Sequence, residues 1–168
     1  MDEAPLNDLE LWFAERLEEV LALRHTDDPL PTANADPQIL VDSLLAVRTR
    51  LDRIEGILAA VERARGRVDR ALTLTSFSGD VAWAQALEDL KRKPTRSNSD
   101  FQGPRERYAE ADLAALGPRR ETNQLEALAK SARTAATVTR DAARGLNGVR
   151  EDHLAILRAM NIGTRLEN

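Results

Sequence analysis

The sequence predicts an all-α protein: a long antiparallel, coiled-coil-like helical hairpin carrying short accessory helices. Three observations predict it. Leu40, Leu44, Val47, Leu51, Ile54, Leu58, Val61, Arg65, Val68, Leu72 and Thr75 recur at alternating steps of four and three. That spacing keeps one stripe of a helix turned toward a partner helix. A second such stripe runs through Leu125, Leu128, Ala132, Ala135, Thr139, Ala142, Leu146, Val149, His153, Ile156 and Met160. No proline stands between Pro37 and Pro94, as a long helix requires.

Composition agrees. Apolar residues make up 42 % of the chain and aromatics only 4 %, the balance of long Ala- and Leu-rich helices rather than of a sheet protein. At 168 residues one folded body is expected. Residues 1–35 read as a short acidic amphipathic helix and a Pro-containing linker. Residues 36–168 read as the hairpin, with a basic loop at 91–107. The absence of cysteine excludes disulfides, zinc-thiolate sites and thiol nucleophiles. It fits a reducing compartment. No apolar run approaches the roughly 20 residues of a membrane span, and Met1-Asp2-Glu3 lacks the basic start of a signal peptide. A cytoplasmic protein without membrane contact is the expectation.

Charge is unevenly placed. Residues 1–28 hold nine acids against Arg16 and Arg24, whereas residues 91–107 hold six basic residues against two acids.

In chain order, a first helix is expected from Asn7 to Arg24. Asn7 and Glu10 have the capping-box spacing, Leu6, Leu9, Phe13, Leu17, Val20 and Leu21 form one face, and Trp12 sits at its rim. It should dock on the long helix or on another subunit. His25 to Ala35 is a linker. Asp36-Pro37 restarts a helix as N-cap and first helical residue. Beside the seam of this second helix, the flank changes from Arg50 to Ile57, Ala64 and Ala71, which widens the buried stripe and calls for more than two helices. The run Thr73 to Asp80, rich in hydroxyls and with Gly79, predicts a kink or break. A helix over Val81–Lys91 follows, then a polar loop over Arg92–Gly103. Another helix starts at Pro104 and ends at a break at Gly117-Pro118. The last helix should run from Glu121 to Met160, with Asn161-Ile162-Gly163 as its stop. Small residues on its seam and on the flank Ala129, Ala136 and Ala143 predict close packing. Gly145 and Gly148 predict a close helix crossing.

Little here suggests catalysis. The histidines are His25 and His153. His25 with Asp27 and Asp28 is a weak metal-ligand pattern, better read as a linker. His153 falls on the seam, where a lone polar residue commonly sets register or oligomer state. No phosphate-binding glycine loop and no hydrolase or zinc-protease motif occurs. The chain reads as non-enzymatic, with no cofactor and no metal.

Two basic features offer a surface for an anionic partner or single-stranded nucleic acid. One is the loop, with Lys91, Arg92, Lys93, Arg96, Arg105 and Arg107, near Phe101 and Tyr108. The other is the outer face of the last helix, with Lys130, Arg133, Arg140, Arg144 and Arg158. Backbone tracking by cations beside stacking aromatics is how single strands are held. Charges on an outer face also serve solubility alone.

From Leu87 onward the order of features resembles the small helical recombination mediators of tailed phages. These features are a helix end, a polar basic loop from Lys91 to Gly103, and the charged helix start Arg105-Glu106-Arg107-Tyr108. A long last helix then carries Leu146, Arg150, Leu154 and Leu157. The resemblance covers about half of the chain. It implies a ring-forming protein that binds single-stranded DNA and helps to load a recombinase. The acidic first helix departs from that pattern.

The leading expectation is therefore a self-associating assembly or adaptor protein that works through helix–helix contacts, with itself and another protein as partners. The single-strand-binding mediator is the alternative. The seam residues expected to hold hairpin or oligomer together are Leu44, Leu51, Ile54, Leu58, Val61, Val68, Leu146, Val149, His153 and Ile156.

Overall fold

A computed structural model of the chain describes residues 6–24, 36–92 and 104–166. Every element among them is helical. A 3-10 turn at Leu6–Asp8 leads into α1 (Leu9–Arg24), followed by α2 (Pro37–Arg92), α3 (Pro104–Ala114) and α4 (Leu116–Leu166). The long helices α2 and α4, of 56 and 51 residues, pack against each other. The expected all-α hairpin is thus the observed fold.

Helix α2 begins as its sequence dictates. The Asp36 carboxylate accepts a hydrogen bond from the Gln38 N–H at 2.9 Å, and its carbonyl accepts from the Leu40 N–H at 3.1 Å. Pro37 then fills the first position, where a missing N–H costs nothing.

The chain divides into two compact units. The first joins Met1–Ala64 to Ser131–Asn168, and the second is Arg65–Lys130. In the first unit, Ser43 meets His153 and Glu62 meets Arg140, so α2 and α4 run antiparallel there. Leu40, Val47, Leu51, Ile54, Ile57, Val61 and Ala64 of α2 are buried. Leu44 and Leu58 are only half-buried. From Ile54 onward the stripe has turned toward the flank that holds Ile57 and Ala64. On α4, Ala132, Ala135, Thr139, Ala142, Leu146 and His153 are buried, as are Ala136 and Ala143 of the flank. Val149 and Ile156 are half-buried. Helix α1 docks on its own chain. Leu9, Phe13 and Val20 face inward and Leu17 is half-buried, whereas Leu6 and Leu21, expected on the same face at its two ends, stay exposed. Glu19 receives the Arg53 guanidinium at 2.7 Å. Trp12 is half-buried, edge-on to Phe13 and beneath the Arg16 guanidinium.

In the second unit Val68 continues the seam, with Leu72 and Thr75 half-buried and Gly79 buried. A Cβ on Gly79 would stand 3.4 Å from the Pro118 Cβ, so this glycine marks the close helix approach.

Four expectations need correction. Helix α2 passes through residues 73–80 without a break. The Thr73 hydroxyl donates to the Asp69 carbonyl and the Ser78 hydroxyl to the Thr75 carbonyl, so these side chains bond back into the helix instead of diverting it. The break expected at Gly117-Pro118 lies at Ala115. Pro118 falls in the first turn of α4, where proline is tolerated, and backbone bonds from Ala115 to Ala111 and from Arg119 to Ala115 carry the helical path across. Helix α4 does not stop at residues 161–163 but reaches Leu166. A lone glycine with no proline after it costs only about 1 kcal/mol. Among the described residues no helix crosses at Gly145 and Gly148, where a Cβ on either would meet nothing within 4 Å.

Candidate functional site

The polar core of the first unit centres on His153, which is 2 % exposed. Its Nδ1 lies 2.7 Å from the Val149 carbonyl oxygen and its Nε2 lies 3.0 Å from the Ser43 hydroxyl. A carbonyl only accepts, so Nδ1 carries the hydrogen. In the neutral ring Nε2 then accepts from Ser43. Both ring nitrogens are satisfied from opposite sides of the α2–α4 seam. This is the arrangement that fixes one helix register, because a slip would strand a buried polar atom. The other buried polar side chain of the seam, Thr139, donates to the Ala135 carbonyl at 2.7 Å in its own helix. It carries no information about register.

The arginines of α4 divide by partner. Arg140, half-buried, donates to Glu62 of α2. It therefore serves the hairpin and does not belong to a free outer face, which corrects the sequence reading. Arg144 lies 3.6 Å from Asp141, and Arg144 itself is exposed. Lys130, Arg133 and Arg158 are exposed. Arg150 binds its neighbour Glu151 at 2.8 Å. That hydrogen bond holds the Glu151 carboxyl below the usual glutamate range against desolvation, the next largest effect, and the charges of Arg150 and Arg158 add to the lowering.

Arg65, the charged interruption of the seam, is half-exposed beside Asp69 at 3.5 Å. The buried stripe passes it through Ala64 instead. Burying a guanidinium is costly, and the adjacent methyl fills the core without that cost.

Of the basic loop, Lys93, Arg96 and Phe101 lie outside the described residues, as do His25, Asp27 and Asp28. Lys91 and Arg92 end α2, while Arg105 and Arg107 fall in the opening turns of α3. Their side chains also lie outside the described residues. Next to this segment Tyr108 stacks on Trp83, with ring centroids 6.1 Å apart and planes 16° from parallel. Tyr108 stays about half exposed. Among the described residues no group of three or more His, Asp or Glu side chains is placed to hold a metal ion.

One feature was not anticipated from the sequence. In the second unit Leu74 and Phe77 of α2 are 70 % and 68 % exposed. The reading of residues 73–80 as a weak helical stretch hid the fact that both fall on one helical face.

No protein-family model, no curated protein and no solved structure matches the chain.

Proposed function

We propose that this chain is a non-enzymatic, self-associating assembly or adaptor protein that acts through helix–helix contacts in the cytoplasm. One observation carries the reading. After α2 has filled its intramolecular seam, it still holds Ile39, Leu45, Leu74 and Phe77 in water, each more than half exposed. Large apolar side chains gathered on helices beyond what the core uses are typical of surfaces that meet other proteins. Among the described residues no helix is long and apolar enough to cross a membrane. Light scattering at micromolar concentration is expected to report more than one subunit. A monomer at every concentration would overturn the self-associating part.

A second reading, the single-strand-binding mediator, is favoured by the half-exposed Tyr108 stacked on Trp83 beside the basic segment, a surface on which a base can stack. The ion pairs of Arg140 and Arg144 weigh against it. Titration of labelled single-stranded DNA at rising salt separates the two, since phosphate-driven affinity falls steeply with salt.

A further inference from the structure

The outer face of α2 changes character along its length. On the side of α2 away from the buried seam, Arg53 reaches Glu19 of α1, and Arg63 and the half-buried Arg67 follow at helical spacing. Beyond them the same face reads Arg70, Leu74, Phe77, Val81, Ala84 and Glu88, again at alternating steps of four and three. All but the half-buried Val81 are exposed. This is a second, short seam of about two heptads on the reverse side of a helix whose first seam is already used. It lies wholly within the second unit.

The ends of this seam select its occupant. In a parallel pair of identical helices Arg70 would meet Arg70 and Glu88 would meet Glu88, repelling at both ends. In an antiparallel pair centred near residue 79, Arg70 of one copy meets Glu88 of the other, Leu74 meets Ala84, and Phe77 meets Val81. Every layer is then apolar or oppositely charged. The next layer outward would set Arg67 against Lys91, and the contact stops there. Such a pairing is isologous, the self-complementary contact of a two-fold dimer. We infer that the Leu74–Phe77–Val81 face is an antiparallel self-contact, and that its occupant is the same face of a second copy of this chain. The inference rests on the self-associating reading and gives it a location.

Opposing terms keep the contact modest. Asp80 flanks the seam close to the two-fold axis, so the two copies of this carboxylate approach each other. Six layers also make a small interface, of the size found in transient complexes.

The test is sedimentation equilibrium of the full chain over a wide concentration range reaching the sub-millimolar. Phe77→Ser should weaken dimerisation by about tenfold or more, as loss of a central aromatic anchor does. Helicity, and the melting temperature at a concentration low enough for the native chain to be monomeric, should hold, because Phe77 is mostly exposed. Arg70→Glu alone and Glu88→Arg alone should each weaken it by about fivefold, since symmetry counts every pair twice. The double variant Arg70→Glu/Glu88→Arg should return to the native value. A native chain that stays monomeric overturns both this inference and the self-associating reading. A native chain that associates while Phe77→Ser associates equally overturns this interface alone. Loss in Phe77→Ser without recovery in the charge-swapped double variant overturns the antiparallel register.

Discussion

The two compact units bury their apolar surface by different means. Of the eight largest fully buried side chains, seven (Phe13, Leu9, Leu40, Ile54, Val20, Val61 and Thr139) lie in the first unit, and only Val68 lies in the second. Apart from Val68 and Leu125, the described residues that the second unit buries are small: Gly79, Ala111, Ala115 and Ala129. Both units leave large apolar side chains in water, Leu74, Phe77, Tyr108, Leu113 and Leu116 in the second and Leu6, Leu11, Leu21, Ile39, Val41 and Leu45 in the first. Small residues let helices approach closely but remove little apolar area from water, and stabilisation scales with that area at about 25 cal/mol per Å². The first unit therefore gains its stabilisation from large buried side chains, and the second gains it mainly from the close approach of small ones.

The hardest test of this comparison is truncation in each unit. Phe13→Ala empties a fully buried site and should lower stability by about 3–5 kcal/mol in urea unfolding followed by circular dichroism. Leu113→Ala, at a position 68 % exposed, should stay within about 0.5 kcal/mol of the native chain. Comparable losses from both would mean that the second unit has a core of its own and that the contrast is wrong.

A smaller effect sharpens the role of the polar pair in the first unit. Ser43→Ala removes the donor to His153 Nε2 and leaves a buried acceptor unpaired, a loss of about 1–3 kcal/mol. His153→Leu removes the polar ring altogether and should be near neutral or stabilising, because no buried nitrogen is left wanting. Paired thermal melts of the two variants check this order. If His153→Leu proves the more damaging of the two, the ring is held for its shape and packing, and Ser43 is incidental.

Much of this fold was legible in the sequence because alternation at four and three steps survives any packing detail. On α4 the seam and the flank Ala129, Ala136 and Ala143 could be read directly, since alanine beside an apolar seam has few uses other than close approach. On α2 the centre of the stripe was harder to read. Leu58 and Ile57 are equally apolar neighbours, and the choice between them follows from Arg65. Keeping that guanidinium near water turns the helix so that Ala64, and with it Ile57, faces inward. Residues 73–80 were misread because propensity describes isolated helices. Here the hydroxyls of Thr73 and Ser78 bond within the helix, and Gly79 meets Pro118. A partner so distant in sequence cannot be deduced from residues 73–80 alone. The spacing of Leu74, Phe77 and Val81 is hidden in the same way, because the weak helix formers between them argue against one continuous helix.

The smallest effect concerns the glycines, and it compares the units again. Gly145 and Gly148 are exposed in α4 of the first unit, and a Cβ on either would point into open space. Replacing each by alanine should stabilise the chain by about 0.5–1 kcal/mol, through helix propensity and a less free unfolded chain. Gly79→Ala in the second unit should gain less. Its new methyl would arrive at 3.4 Å from the Pro118 Cβ, with no slack on that side. Thermal melts of the three single variants, taken at one low protein concentration, check the order. Keeping the concentration low matters because a dimer would add its own stabilisation by mass action. A loss of stability in Gly145→Ala or Gly148→Ala would mean that another surface closes on those glycines in solution. Among the described residues none approaches them, and a loss that grows with protein concentration would assign that surface to a second molecule. The self-contact would then have to be sought on α4 of the first unit instead of on the outer face of α2.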